Sequence, residues 1–546
     1  MKKFLVFSLI CIMLIMGISA RGQSHPVGMP LYEEYTRRQQ LLGDSTIVSS
    51  LMIRPSFENP SGVKRREFAW MPVLWKQQYT TDHPMSLNDG AMIPARGYQT
   101  FFSAGFYARF GIVSVQFMPE FVYASNRYFD GLPGEHRIEV LRAYDHRKHY
   151  LDVPERFGTE PYKKAFLGQS SIRLNYKSLS LGLSNENLWW GPGHKNALMM
   201  TNHAPGFKHL TFNTVKPVKT PVGSFEFQVV GGKLEPSGYP GVDTVMMKSK
   251  GIDTWTRKDD WFYFNAVTFN YQPKWLPGLS VGGARSFVVY SKEIVLKNHK
   301  TWLPIMEPFL KVNAGGFERD TIPTDQLASI WLRWLMPKEH AEVYLEYGRS
   351  DHNWHLNDFL LEPTHNRAYI LGYRKLIPLH SNLKSHLEVE MELTQFSYNV
   401  QTLLRPFSGW GDWYYAGNHG FTNHGQVIGS GIGTSSNMQM VNIGWVHGKK
   451  RIGLELYRHI HEEDLWAFLR LNGGRTDYRT HWVDLSGALV VDWDYGRFFM
   501  NAKLQTIGSL NYMFMYDPVL TKPPFFWDYG KTRYNVNAVV MIGVNL

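Results

Sequence analysis

The chain has 546 residues, a formal charge of +11, 18 Trp, 48 Gly and one cysteine, Cys11, near its start. The exported protein therefore has no cysteine, which excludes a disulfide scaffold, a thiolate metal site and cysteine catalysis. No stretch after the leading segment approaches the roughly 18 consecutive apolar residues of a membrane helix, so a helical membrane protein is excluded as well. A secreted all-β protein and a membrane β-barrel both fit this composition, because a barrel hides its apolar band by alternation with polar lumen residues.

Lys2 and Lys3 precede an apolar run, Phe4 to Ile18, followed by Ser19-Ala20-Arg21-Gly22. The run is about fifteen residues, short of the roughly 20 needed to span a bilayer, and reads as a Sec-type signal peptide over 1–22 with cleavage before Gln23. Cys11 is not read as a lipidation site, since Ile10 before it is bulky and the apolar run would be cut in half. Loss of Lys2, Lys3 and Arg21 leaves about +8 by the same count. Nucleic acid is not expected as a partner of an exported chain. An acidic polysaccharide or anionic outer-membrane lipid suits the charge, which is also compatible with no partner at all.

From Pro30 to Gly43, Leu31, Tyr35 and Leu42 share one side, acids come early and bases late, which predicts a short amphipathic helix. It belongs to an N-terminal segment over 23–65 and is expected outside the barrel on the periplasmic side. From residue 66 to 546 the apolar period is two. It runs through Val113/Val115/Phe117, then Ile172/Leu174/Tyr176, which turn at Lys177-Ser178 into Leu179/Leu181/Leu183. It continues through Phe225/Phe227/Val229, Ile330/Leu332/Trp334 and Val343/Leu345/Tyr347, and later through Ile452/Leu454/Leu456 and Phe498/Met500/Ala502/Leu504.

Between them, Leu387, Val389, Met391 and Leu393 share one face while Glu388, Glu390 and Glu392 share the other. Such a carboxylate row is tolerable toward a wet lumen with basic partners and not in a dry core. The last strand alternates from Tyr534 to Leu546, longer than the ~9–11 residues a tilted membrane strand needs. The expected fold is all-β, one large antiparallel transmembrane β-barrel. About 470 residues at roughly 25 per strand plus connection give 16 to 20 strands. Long connections near 125–165, 185–222, 231–260, 349–367, 405–440 and 458–480 are expected on the extracellular side.

Arg173, Arg333, Glu346, Arg349 and the three glutamates project to the polar side or rim, where an ion-pair network is expected. Glu388 and Glu390 fall near glycosidase spacing only because they are two apart on a strand, and no catalysis is expected. His459-Ile460-His461 and the His352/His355 pair match no zincin or calcium-loop pattern, so neither a metal nor a cofactor is expected. Gly429-Ser430-Gly431 is out of register for a nucleophile elbow. Trp189-Trp190-Gly191-Pro192-Gly193 offers flat faces that stack on sugar rings, with Asn185, Glu186 and Asn187 as hydrogen-bonding partners. Equally, these tryptophans can belong to an aromatic girdle at the membrane interface. Trp410, Trp413, Tyr414 and Tyr415 can bind sugar or pack their own loop.

Several stretches together resemble the Wzi-type capsule-assembly family of outer-membrane proteins. They include Asn88-Asp89-Gly90 with Ile93-Pro94-Ala95-Arg96-Gly97, Met118-Pro119-Glu120-Phe121, and Gly168-Gln169-Ser170-Ser171-Ile172-Arg173. The most specific are Asn185-Glu186-Asn187-Leu188-Trp189-Trp190-Gly191-Pro192-Gly193, continued by Asn202-His203-Ala204-Pro205-Gly206, and Phe421-Thr422-Asn423-His424-Gly425-Gln426. Glu346-Tyr347-Gly348-Arg349, Asp358 and Glu362-Pro363-Thr364-His365 add to it. The resemblance implies a barrel of about eighteen strands with a periplasmic helical element. It further implies a lectin in the cell outer membrane that holds capsular polysaccharide and catalyses nothing. On that reading Trp189, Trp190, Asn187, Arg173, Arg349, Asp358 and His424 are the candidate ligand-binding residues. The alternatives are a porin or glycan-export channel, and an accessory of gliding or secretion machinery within a surface protein complex.

Overall fold

The computed structural model describes residues 24–44, 46–57, 66–257, 260–292, 325–350, 360–361, 366–379, 384–397, 415–416, 419–466, 481–515 and 532–546. The signal peptide, Asp358, Glu362-Pro363-Thr364-His365, Trp410, Trp413, Tyr414 and the His352/His355 pair lie outside the described residues.

Alternation decides which way each side chain faces. In Ser385–Gln395 the glutamates 388, 390 and 392 are buried toward the lumen, while Met391 is exposed on the outer face. In Ser171–Tyr176 and Leu179–Ser184, Ile172, Leu174, Leu181 and Leu183 face out and Arg173, Asn175 and Ser180 face in. An apolar exterior with a polar interior, strand after strand, is the pattern of a barrel immersed in a bilayer.

The sheet closes when Arg533–Val544 pairs with Phe498–Leu510 on one side and with Val73–Thr80 on the other. Among the described residues the closed barrel comprises 23 hydrogen-bonded segments, all antiparallel neighbours. Four adjacent staves each consist of two segments, broken at 71–72, 104–105, 118–119 and 167–170. Pro72 and Pro119 fall in two of these breaks, where a missing amide cannot complete the ladder. Val218–Thr220 continues the Lys208–Thr214 stave along Gly223–Leu234. The barrel therefore has eighteen staves, the number implied by the family resemblance. Tight turns such as Lys177-Ser178 and Gly448-Lys449 gather at the end that also holds the C-terminus, the periplasmic end of such barrels. The connections at the opposite end are long, as expected.

The amphipathic helix forms over Pro30–Leu41, with Pro30 at its first turn where a missing amide costs nothing. Its location differs from expectation: it sits within the periplasmic mouth of the lumen rather than outside the barrel. Its buried face is Leu31, Arg37, Arg38, Gln40 and Leu41, so the bases point inward and Tyr35 does not, while Leu42 packs against Leu41, Leu376 and Val446. Tyr32 packs edge-on against Phe499 at 5.1 Å and accepts a hydrogen bond from Asn545 at 2.6 Å. The main core also lies inside the barrel. Met52, Leu188, Trp190, Leu198, Met199, Met200, Phe421, Ile428 and Ile432, all from connections, pack against inward wall residues such as Val230, Phe264 and Trp331.

Two extracellular connections carry helices that the alternation gave no sign of. Ile138–Leu151 and Thr244–Ser249, the latter capped by Asp243, share a second core with Leu465, Tyr512, Met513 and Phe514. They form a cap over the extracellular mouth.

The lipid-facing assignment is testable by depth. Leu454 lies mid-stave and 49% exposed, so Leu454→Arg is expected to cost about 2–4 kcal/mol of folding into a bilayer, against about 0–1 for Phe498→Arg at the stave end. Denaturant titration of folding into lipid vesicles measures both.

Candidate functional site

Each carboxylate of the Ser385–Gln395 row meets a different element. Glu388 takes the Arg374 guanidinium, with Nε at 2.9 Å, and Arg451 at 3.1 Å, with Arg38 of the plug helix at 3.9 Å. Arg374 also binds Glu34 of that helix at 2.6 Å. Glu390 accepts from Asn442 at 3.1 Å and stands 3.3 Å from His194 Nδ1. Glu392 accepts the backbone amides of His194 at 2.7 Å and Asn196 at 3.0 Å, and the Tyr344 hydroxyl at 2.7 Å. The expected lumen network is present, and these carboxylates are committed to cations and amides. Burial pulls the Glu34 carboxyl up, but Arg374 and His194 hold it well below the usual range. Burial and Arg37 work against protonation of His194, yet Glu390 and Glu34 outweigh them and its pKa is raised.

The inward connection between Leu179–Ser184 and Lys208–Thr214 carries four of the seven candidate binding residues or their anchors. Arg173, 1% exposed, binds Glu186 at 2.5 Å and Asn213 at 2.9 Å. Glu186 in turn accepts from Ser24, at 2.5 Å, and from Ser184, at 2.9 Å. Asn187 receives Gln169 and donates to the Ala204 carbonyl, bracketing the two ends of the connection. Trp189 and Trp190 form a short strand pair with Arg54 and Ile53 of the N-terminal segment. Trp190 is fully buried and donates to Gln228 at 2.9 Å, while the Arg54 guanidinium lies 4.4 Å over the Trp189 ring. Neither tryptophan is an exposed sugar platform or part of an interface girdle: both were placed by sequence at a strand end, but their connection turns into the lumen. Gly191 follows at φ +117, and a Cβ there would lie 2.7 Å from Glu346 Oε2, so only glycine fits.

His424 occupies the tip of a second inward hairpin, where Thr422 pairs with Val427 and Asn423 with Gln426. His424 and Gly425 both have positive φ, 52° and 83°, the backbone of a two-residue type I′ turn. Asn423 donates to the Pro205 carbonyl at 3.0 Å and so locks this hairpin to the first inward connection. The His424 ring accepts from Lys164 at 3.0 Å, and burial with Lys164 and Lys208 pushes its pKa down to about 3. Arg349 stands apart, buried at the extracellular end of Ala341–Arg349. Asp358 lies outside the described residues.

A lumen cavity of about 230 Å³ remains between the plug residues Pro26–Glu34, the Met85–Ala91 connection and the wall. Lys76, Lys195 and Lys503 line it, paired with Asp89 at 2.5 Å, Glu455 at 2.6 Å and Glu455 at 2.8 Å. Of the described candidates, Trp189 alone lines this cavity.

The exposed aromatic surface is on the cap. Trp255 is 53% exposed, held by its amide donating to Asp145 at 3.0 Å. Its ring lies 5.3 Å from His146 and 5.9 Å from Tyr150, which are 4.3 Å from one another. The three form a ledge. Arg142, one helical turn before His146, is exposed beside it, whereas the Arg257 guanidinium next to His149 is turned inward onto Asp152. His149 at the ledge's edge is pushed down to about 4 by burial, Arg257 and His146, and so stays neutral at neutral pH. Sequence reasoning missed this ledge. Its signals were the 3–4 spacing of Val140, Leu141, Tyr144 and Leu151, and a tryptophan in the polar stretch 251–257.

The family model for capsule assembly protein Wzi matches residues 77–492. The chain is similar to the solved structure of Wzi, an outer membrane protein involved in group 1 capsule assembly in Escherichia coli and described as a carbohydrate-binding β-barrel. The TM-score is 0.57 and the identity 11%, over 97% of this chain and 100% of that one. At that identity the likeness is one of fold. Acinetobacter baumannii OccAB4 aligns over 89% of this chain and 100% of its own at 9% identity, but its TM-score of 0.38 carries no argument. No curated protein sequence matches the chain.

Two outcomes test the geometry. Glu392→Ala is expected to cost about 3–5 kcal/mol, because it strands the buried amides of 194–196, and to leave the staves intact. Thermal unfolding, together with protease cleavage within 185–207, measures it. Glu462 joins the cap helix through Lys148 at 2.8 Å, and although burial opposes ionisation, Lys148 and Arg147 hold its pKa at about 2. Since the folded value lies below the ordinary 4.5, this contribution is complete above about pH 4.5 and is lost as pH falls toward 2. Protection factors of the 138–151 amides, corrected for the intrinsic exchange rate at each pH, should fall across that window and not above it.

Proposed function

Because the chain belongs to the capsule assembly protein Wzi family, we propose that it is a lectin-like outer-membrane barrel that holds capsular or other surface polysaccharide on the cell. The observation that carries this reading is the exposed Trp255–Tyr150–His146 ledge on an extracellular cap above a filled lumen. Apolar faces of pyranose rings stack on Trp255 and Tyr150, each contact adding about 0.5–1.5 kcal/mol, and exposed Arg142, one turn before His146 on the same helix, meets acidic groups on the polymer. A single ledge is a weak site for one sugar. A polymer that presents the same unit many times to many barrels gains by rebinding what each contact lacks in strength.

The filling of the lumen favours retention over conduction. The plug helix, the 185–207 connection and the 420–436 hairpin meet across the interior. A porin would conduct in planar bilayers, and a barrel plugged in this way would not. No catalytic step is proposed.

Trp255→Ala with Tyr150→Ala is expected to weaken binding of the cell's own polysaccharide about tenfold and to shift capsule from cell-bound to released, with barrel stability unchanged. Trp190→Ala should instead lower stability by about 3–5 kcal/mol through the cavity it leaves. Unchanged retention in the ledge variant and in a deletion strain would sink the lectin reading and favour a machinery role, to be sought by co-purification.

A further inference from the structure

His459 and His461 are two apart at the extracellular end of Lys450–Ile460, so both imidazoles fall on the lumen side. The antiparallel register sets Asp484 opposite His459, and one ligand atom from each of the three lies within 4.8 Å of the others. The two imidazoles are 3.8 Å apart, centroid to centroid, and His461 Nε2 is 2.9 Å from Asp484 Oδ2. No spacing rule could have joined Asp484 to the His459-Ile460-His461 pair, because the strand register, and not local sequence, brings it there.

We propose that His459, His461 and Asp484 bind a divalent transition-metal ion of the zinc class at the extracellular mouth of the lumen. Two features beyond the cluster support this. His459 Nε2 stands 3.0 Å from the Ile432 carbonyl, a contact that makes Nε2 the protonated nitrogen and leaves Nδ1 to bind a metal. Asp484 Oδ1 accepts the Trp482 indole N–H at 2.9 Å, which turns Oδ2 toward the histidines. Both ligands are thus oriented from outside, as metal ligands are.

Two imidazoles and one carboxylate suit zinc, nickel or copper rather than calcium, whose ligands are all oxygen. Donor atoms around tetrahedral zinc stand about 3.4 Å apart, so rotamer-scale movements of roughly 1 Å would close the site, with water in the fourth position. His461 stacks on Trp482 at 3.9 Å, and Trp482 packs edge-on against Tyr512, 5.1 Å away, in the cap core. A bound ion would therefore fasten the cap to the barrel rim. The inference is independent of what the ledge binds.

The test is zinc titration of the full-length, untagged barrel in detergent by calorimetry, with the visible spectrum of the cobalt-substituted protein reporting the coordination geometry. One equivalent bound at micromolar affinity or tighter is expected, with a tetrahedral cobalt spectrum. Asp484→Asn, which preserves shape and a hydrogen bond to His461, should weaken binding at least tenfold, and His459→Ala/His461→Ala should abolish it. If the double variant fails to fold, judged by its gel mobility with and without heating, Asp484→Asn decides alone. No stoichiometric uptake by the native protein, or uptake that Asp484→Asn leaves unchanged, would overturn the proposal.

Discussion

Three carboxylates buried side by side on one strand cannot be left bare, and the interior of this protein is organised around satisfying them. An unpaired buried charge costs several kcal/mol, far more than one packing defect. Glu388 is met by Arg374, Arg451 and Arg38, Glu390 by His194 and Asn442, and Glu392 by the amides of 194–196. The plug helix and the inward connection are thus counter-charges to the wall as much as they are obstructions. Arg374 shows the coupling most directly, since it binds the wall through Glu388 and the helix through Glu34 at once.

The stretches most specific to the family are the joints of that plug. Asn-His-Gly-Gln is a type I′ turn whose asparagine locks one inward hairpin onto another. The Trp-Trp-Gly-Pro-Gly stretch pairs with the N-terminal segment and turns at a glycine pressed against Glu346. Asn88-Asp89-Gly90 joins a third connection to the same core, through Asn88 to the Lys195 carbonyl and Gly90 to that of Asn202. Residues picked for glycan contact because they sit in distinctive motifs, Trp190, Asn187 and Arg173 above all, therefore hold the interior together. The exposed aromatic ledge falls instead on the cap, where a distinctive local motif is not needed because stacking requires only a flat ring held in the open.

The sequence by itself determined the barrel. Period-two alternation assigns each strand residue to lipid or lumen without reference to any partner, and it carried the antiparallel barrel and the carboxylate row; chain length bounded the staves only to about 16–20, and eighteen came from the family resemblance. It also determined that a helix forms over Pro30–Leu41, since capping and spacing are local. Only the tertiary structure decided where that helix goes, because its Arg38 is drawn to Glu388 and its Glu34 to Arg374, both on strands more than three hundred residues away. The same holds for the inward turn of Trp189 and Trp190, for the meeting of Trp255 with His146 and Tyr150, and for Asp484 opposite His459. Each depends on connections that fold against one another, and no periodicity along a single segment records which distant surface that segment will meet.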